Sequence, residues 1–190
     1  MPRRRPMTPD ERREVAFHEI GHVAMVYWRR DLLHSRRVEI YPDRRHPEGI
    51  GGQFVVGGIE WSAEEVKGLK GAHAERILAQ IELDLMVTLG GWLAQMLSIG
   101  SVPTRAIRVE ADSDSARIRR LVRILKGKDD RKYQFDVQER CRAILQEPRM
   151  WAGITTAAEL LAEREVLDGE DIERILEEAG APTKFPRRLV

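Results

Sequence analysis

His18, Glu19 and His22 are the residues of this chain whose types and spacing are best suited to chemistry. They lie in the segment HEIGH, which has the pattern H-E-x-x-H. Residues four apart in a helix lie on one face, so both imidazoles can bind one metal ion, and this spacing is typical of zinc sites. Glu19 is then close enough to take a proton from a water molecule at the metal. The pattern therefore predicts a zinc centre that activates water for hydrolysis.

The helix that must carry these residues has a clear predicted start. Thr8 is suited to be its N-cap, Pro9 lies in the first turn and Glu11 completes a capping box. Residues 15–28 read VAFHEIGHVAMVYW, which is apolar around almost the whole helix, so we expect this helix to be buried. Two histidines and a carboxylate are costly to bury unless something satisfies them, and zinc would do so. The alternative is a pair of core histidines hydrogen-bonded to Glu19 and the backbone.

A catalytic zinc ion usually has three protein ligands and one position open to water. The sequence offers further candidates of several kinds: His34, His46 and His73, Glu82 on the next predicted helix, and Asp112 or Asp114 at the start of a later one. Each histidine is also compatible with a surface position, and either aspartate with an N-cap. The residues by themselves leave the third ligand open.

Length and charge exclude several classes of protein. With 190 residues the chain can form a sound core, and we expect one domain over residues 1–190, with flexible tails at residues 1–7 and 182–190. Its 32 Lys+Arg and 31 Asp+Glu residues give a net charge of +1, which argues against a nucleic-acid partner. Cys141 is the only cysteine, so no disulfide forms within the chain, which favours a reducing cytoplasm.

Three targeting and energy-coupling motifs are absent from the sequence. The apolar runs are short or contain charged residues, so we expect no transmembrane helix. The basic start is not followed by the apolar stretch of a signal peptide. No phosphate-binding P-loop occurs, so we expect no ATP hydrolysis by this chain.

The hydrophobic periodicity predicts a mainly α fold with one small β-sheet. Alternation predicts strands at residues 37–41 and 51–56, and the second strand offers an edge, Gln53, Phe54, Val55 and Val56, to which an extended peptide could add. A purely structural hairpin is the alternative. A helix is predicted at residues 64–88, where Gly68 and Gly71 weaken it, and another at residues 92–99, after a break or bend at Gly90-Gly91. Further helices are predicted to begin at residue 114 and to span residues 133–147 and 155–165, and a last helix is predicted to end at residue 179.

The chain resembles the peptidase domain of the FtsH-type ATP-dependent zinc metalloproteases. Beyond the HEIGH segment, the resemblance is carried by RRVEIYPDRRHPEGIGGQF at residues 36–54 and LGGWLAQMLSIG at residues 89–100. Two further segments are similar to the family, the A-x-x-D motif at residues 111–114 and LLAEREVLDGEDIERIL at residues 160–176. They occur in the family's order and span almost the whole chain, so the resemblance implies a zincin-like helical metallopeptidase fold of the FtsH type.

The resemblance also implies which residue completes the metal site. The aspartate of A-x-x-D, here Asp114, is the family's third ligand, and Asp112 is the second choice. The glycine-pair helix of the family usually carries two glutamates, where this chain has Gln95 and Met96. That departure removes one alternative ligand and favours Asp114.

We therefore expect a zinc-dependent metalloendopeptidase in which zinc, held by His18, His22 and Asp114, activates water and Glu19 is the general base. Family members carry membrane helices and an ATPase ring ahead of the peptidase. A stand-alone domain would need unfolded or flexible polypeptide, or a separate unfoldase, and the resemblance suggests a homo-oligomer. The alternatives are a non-catalytic zinc-binding regulatory or scaffold protein, and a structural helical subunit without metal.

Overall fold

The computed structural model describes residues 6–30, 35–41, 52–56, 62–101 and 113–184. This part of the chain is mainly helical with one small sheet, as the sequence predicts. In chain order its elements are α1 (Pro9–Trp28), β1 (Ser35–Ile40), β2 (Gly52–Val56), α2 (Ala63–Lys67), α3 (Gly71–Ser98), α4 (Ser113–Lys126), α5 (Arg131–Leu145), α6 (Pro148–Arg164), β3 (Val166–Asp168) and α7 (Gly169–Glu178).

The helix α1 begins as predicted and lies at the centre of the molecule. The Thr8 hydroxyl accepts a hydrogen bond from the Glu11 backbone N–H at 3.2 Å, and the Glu11 carboxylate accepts one from the Thr8 N–H at 2.8 Å. The capping box is therefore confirmed. Further along, Phe17, Ile20 and Met25 are buried, and α1 packs against α3, α6 and the sheet.

The helices α1 and α3 approach each other closely because glycines lie at their crossing. A Cβ atom added to Gly21 would lie 2.4 Å from the carbonyl oxygen of Gly90, and one added to Gly90 would lie 2.7 Å from the carbonyl oxygen of Gly21. Of the predicted break or bend at Gly90-Gly91, the break is wrong, since α3 continues to Ser98. Glycine costs a helix roughly 1 kcal/mol per residue, and close packing against α1 offsets that cost here.

The described strands form a three-stranded sheet in the order β2-β1-β3, with β1 antiparallel to both neighbours. The two predicted strands correspond to β1 and β2, with ends shifted by one or two residues. The third strand was not predicted, because β3 has only three residues and no alternation is visible in so short a segment. Val38 pairs with Leu167 across this ladder, and both side chains are buried.

Two helix boundaries differ from prediction for local reasons. The predicted helix over residues 64–88 is divided into α2 and α3 at the glycines expected to weaken it. Pro148 begins α6, so the predicted start at residue 155 is wrong. Proline in a first turn loses no helical hydrogen bond, and the Glu147 carboxylate accepts the Met150 N–H at 2.8 Å.

The segment after α7 lies against the end of α1. The Lys184 backbone N–H donates to the Trp28 carbonyl at 2.9 Å, and the Lys184 ammonium lies 5.5 Å from the Trp28 ring centre. The Tyr27 hydroxyl donates to the Ala181 carbonyl at 3.4 Å. Lys184, which falls in the segment expected to be a tail, therefore has contacts of its own.

The helix α3 is long and apolar enough to cross a membrane by length and composition alone, whereas the sequence was expected to contain no such helix. Its 28 residues include a window of mean hydropathy 1.4, of which 61% is buried inside the protein. The buried part lies against α1, α4 and α5. Burial of this kind also occurs in the core helix of a water-soluble protein, so the observation is weak support for a membrane span.

Candidate metal centre

The helix α1 presents His18 and His22 on one face, one turn apart. Their ring centres are 4.7 Å apart and their planes are almost perpendicular, at 83°. The side chain of His22 is 9% exposed and that of His18 is 24% exposed, so the pair lies at the edge of the core with one open side. This is the arrangement that the i, i+4 spacing predicts.

The first turn of α4 brings Asp114 to the same point. Its Oδ2 lies 3.0 Å from His18 Nε2 and 3.6 Å from His22 Nε2. The three ligand atoms all lie within 4.8 Å of one another. The structure thus brings together the three residues that were expected to hold the metal, although 96 positions separate His18 from Asp114.

The donor set fits zinc. Ligand atoms about 2.0–2.1 Å from a tetrahedral zinc ion lie about 3.3 Å from one another. The two separations from Asp114 Oδ2, 3.0 and 3.6 Å, fall on either side of that value. Two imidazole nitrogens and one carboxylate oxygen are ligands that zinc accepts, and three protein ligands are typical of catalytic sites.

The helix α3 orients His22 through the ring nitrogen that faces away from Asp114. His22 Nδ1 lies 2.7 Å from the carbonyl oxygen of Val87. A carbonyl can only accept, so Nδ1 carries the proton and Nε2 keeps its lone pair toward Asp114. A Cβ atom added to Gly91 would lie 2.4 Å from His22 Cε1, so the ring occupies the space that a larger residue would fill.

Gln95 on α3 orients His18 through a hydrogen bond to its Nδ1. His18 Nδ1 lies 3.2 Å from Gln95 Oε1, which accepts a hydrogen bond from it, so His18 Nε2 is directed at Asp114, on the side where the metal would bind. The Gln95 amide in turn donates to the Glu14 carboxylate at 3.4 Å. Sequence reasoning treated Gln95 only as a lost ligand. Its place one turn after Gly91 on the same helix is the signal that could have identified it as an orienting residue.

The charges of the site favour a cation between His18 and Asp114. Burial lowers the pKa of His18, but the hydrogen bond with Asp114 and the charge of Glu19 outweigh it, so that pKa is raised. Burial raises the pKa of Asp114, but the hydrogen bond with His18 and the charge that His22 carries when it is protonated in acid outweigh it, so that pKa is lowered. A site that stabilises a proton between two ligand atoms also suits a metal ion there.

Glu19 and His22 are affected mainly by burial. Burial raises the pKa of Glu19 to about 7, against an opposing effect of the nearby His18 charge. Burial, together with the His18 charge, lowers the pKa of His22 to about 4, so His22 is neutral at physiological pH. A carboxyl group whose pKa is near neutrality can both accept and return a proton.

The other candidate ligands are placed elsewhere or lie outside the described residues. His73 is exposed in the first turn of α3. Glu82 forms an ion pair with Arg140 on a partly exposed face between α3 and α5. His34, His46 and Asp112 lie outside the described residues. Within the part of the chain that the structure describes, one group of three or more His, Cys, Asp or Glu side chains is arranged for a metal, and it is the Asp114 group.

The strand expected to bind substrate is at an edge of the sheet. Gln53, Phe54, Val55 and Val56 all belong to β2, which pairs with β1 on one side. No other described strand pairs with its second side. The side chains of these four residues lie outside the described part, so the structure gives the strand's backbone position only.

No model of a known protein family matches the chain, and a search of curated proteins finds no similar sequence. The function of the site therefore has to be argued from its own geometry and chemistry.

Proposed function

We propose that this chain is a zinc-dependent metalloendopeptidase that hydrolyses peptide bonds of unfolded or flexible polypeptides. The FtsH-type resemblance supplies the reaction class, and the metal centre supplies the physical support. One observation carries the proposal. One ligand atom each of His18, His22 and Asp114 lies within 4.8 Å of the others, and the buried carboxylate of Glu19 is close enough to interact electrostatically with His18 and Asp114.

The chemistry follows from the roles that these residues can take. When bound, zinc would act as a Lewis acid that makes water more acidic and polarises the scissile carbonyl. Glu19 takes the proton of the attacking water and then donates it to the leaving amine, for which a pKa of about 7 is suitable. His22 stays neutral because burial lowers its pKa, and Asp114 stays ionised, so both remain available as ligands.

The substrate class rests on the edge of β2 that pairs with no other described strand. An extended polypeptide can add to such an edge through backbone hydrogen bonds, which do not depend on side-chain identity. Addition of this kind requires the substrate to be unfolded or flexible locally, or to be delivered by a separate unfoldase. The single, buried cysteine fits work in a reducing compartment such as the cytoplasm.

The test is hydrolysis of casein by the zinc-loaded chain beside its Glu19→Gln variant, with the zinc content of both measured. Glu19 binds no metal in this proposal, so the variant should keep one zinc per chain and lose activity by roughly 10²–10⁴-fold. A matched control is His73→Gln, an exposed histidine that should change neither quantity.

Each alternative outcome has a definite meaning. Equal cleavage by the parent and the Glu19 variant would indicate a contaminating protease. Stoichiometric zinc with no cleavage by either would contradict the peptidase and favour the alternative, a non-catalytic zinc-binding regulatory or scaffold protein. A chain that binds no zinc would contradict both.

A further inference from the structure

The position of Asp114 depends on how α4 is held. Residues 102–112, which precede α4, lie outside the described residues, so the observed support for α4 comes from α3 and α2. Its buried face consists of Ser115, Ile118, Leu121 and Val122. Apolar contact is not directional, so Ile118, Leu121 and Val122 by themselves do not fix the position of α4 along α3.

A bidentate ion pair between Arg117 and Asp84 adds a directional contact between α4 and α3. Arg117 Nη2 lies 2.8 Å from both carboxylate oxygens of Asp84, and Arg117 Nε lies 3.1 Å from Oδ1. The Asp84 side chain is 16% exposed and that of Arg117 is 35% exposed, so the pair is partly shielded from water. Two parallel charge-assisted hydrogen bonds fix both the distance and the angle between the helices.

The two partners stand next to the metal centre on both helices. Arg117 lies one turn after Asp114 on α4, on the same side of that helix. On α3, Asp84 lies one turn before Val87, whose carbonyl accepts a hydrogen bond from His22. The ion pair therefore fixes the turn that presents Asp114 against the turn that orients His22.

We propose that Asp84 and Arg117 are positioning residues that set the distance between Asp114 and the two histidines, and so set the affinity of the site for zinc. This inference rests on the metal centre of the proposed function but not on peptidase activity. Asp84 has a second effect, because it neutralises a guanidinium that would otherwise repel a metal cation nearby.

The test measures metal binding rather than turnover. Zinc affinity is determined by competition with a chromophoric chelator, and the coordination is followed by the visible absorption of the Co²⁺-substituted chain. Asp84→Asn and Arg117→Gln should each weaken zinc binding by roughly 10–100-fold, as loss of outer-shell partners typically does. The double variant should be little weaker than the worse single one, because the two residues act as a unit.

A matched control lies on the same helix. Arg123 makes the same two-pronged contact with Asp129, at 2.8 and 3.0 Å, but near the far end of α4, where both side chains are more than half exposed. Arg123→Gln should leave zinc affinity and the Co²⁺ spectrum unchanged. Arg117→Lys keeps the charge but loses the planar fork, so it should also weaken zinc binding if geometry is what matters.

A purely structural role of the ion pair predicts a different result. It would lower the unfolding temperature of the metal-free variants and leave the Co²⁺ spectrum as in the parent, which would overturn the inference. Unchanged zinc affinity in folded variants would overturn it as well. If Asp84→Asn or Arg117→Gln does not fold, Asp84→Glu and Arg117→Lys provide the same comparison.

Failure of the proposed function is visible separately. A parent chain that binds zinc but cleaves no polypeptide leaves the positioning role open to the same affinity measurement, which then decides it. A parent chain that binds no zinc contradicts the metal centre and overturns the positioning role with it.

Discussion

At the scale of single residues, the pKa values of the two acidic side chains of the site are shifted in opposite directions. The pKa of Asp114 is lowered, because hydrogen bonding with His18 outweighs burial, whereas burial raises the pKa of Glu19 to about 7. Groups in one site whose pKa values are moved apart usually have different roles. The ionised Asp114 is suited to bind a cation, and Glu19 is suited to exchange a proton.

The role of Asp114 as a ligand leads to a direct prediction. Asp114→Asn keeps the size of the side chain and removes its charge, so zinc affinity should fall by more than the roughly 10–100-fold seen for outer-shell residues. Zinc titration of the purified variant measures this. Unchanged stoichiometric binding at the parent's affinity would show that Asp114 is not a ligand.

Gln95 should affect zinc affinity through the orientation of His18. Gln95→Leu removes the acceptor that orients His18, so zinc affinity should fall by roughly 10–100-fold. Gln95→Glu replaces the amide with a carboxylate, a stronger acceptor, and should bind zinc at least as tightly as the parent. The control is Gln80→Leu on the same helix, and equal effects of the two leucine variants would contradict the orienting role.

At the scale of elements, the crossing of α1 and α3 positions the histidines. Gly21 and Gly90 allow the two backbones to meet, and Gly91 leaves room for the His22 ring. The hydrogen bond from His22 to Val87 is made at the same crossing. The site is therefore a property of the helix pair as much as of the motif.

Gly91→Ala should disturb both stability and metal binding. The added methyl group would lie 2.4 Å from His22 Cε1, so the ring must move or the helices must separate. Such overpacking costs typically about 1–3 kcal/mol of unfolding free energy, and displacement of His22 should weaken zinc binding. Urea unfolding and zinc titration measure the two effects. Gly68→Ala, where nothing lies within 4 Å, should show neither.

At the scale of the whole molecule, zinc would connect distant parts of the chain. Its expected ligands come from α1 and α4, and their orienting groups come from α3. A ligand that binds only the folded state raises stability by about 4 kcal/mol at 1,000 times its dissociation constant. Zinc should therefore raise the unfolding temperature of the parent clearly and that of Asp114→Asn much less.

Cys141 provides a second measure of the same coupling. It is fully buried, donates to the Met86 carbonyl at 3.8 Å, and burial raises the pKa of its thiol to about 12. We expect thiol reagents to label it only when the protein opens, and zinc should slow this labelling in pH-matched buffers. Fast labelling of the folded chain, at the rate of a free thiol, would contradict the buried position.

The raised pKa of Cys141 also predicts the direction in which the free energy of unfolding changes with pH. The folded state prefers the neutral thiol, so this group contributes stability below its ordinary pKa of 9.0 and loses it as the pH rises toward 12. Unfolding free energies measured on either side of pH 9 should show the loss, and Cys141→Ala should reduce it.

Features of this protein that depend on neighbouring residues could be predicted from its sequence. The capping box at Thr8 and Glu11, the buried course of α1 and the common face of His18 and His22 follow from spacing within a few turns. The start of α4, predicted at residue 114 and observed at Ser113, was also visible as an acidic helix start. Local spacing is a sufficient cause for each of these features.

The remaining features depend on contacts between distant segments, so they became visible in the folded structure alone. The glycines of α3 were expected to interrupt a helix, yet their partner is Gly21, about 70 residues away, and packing there outweighs propensity. The strand β3 exists because β1 supplies its hydrogen bonds. The meeting of Asp114 with the two histidines, and the ion pair of Asp84 with Arg117, likewise require the helices to be packed before any pattern can reveal them.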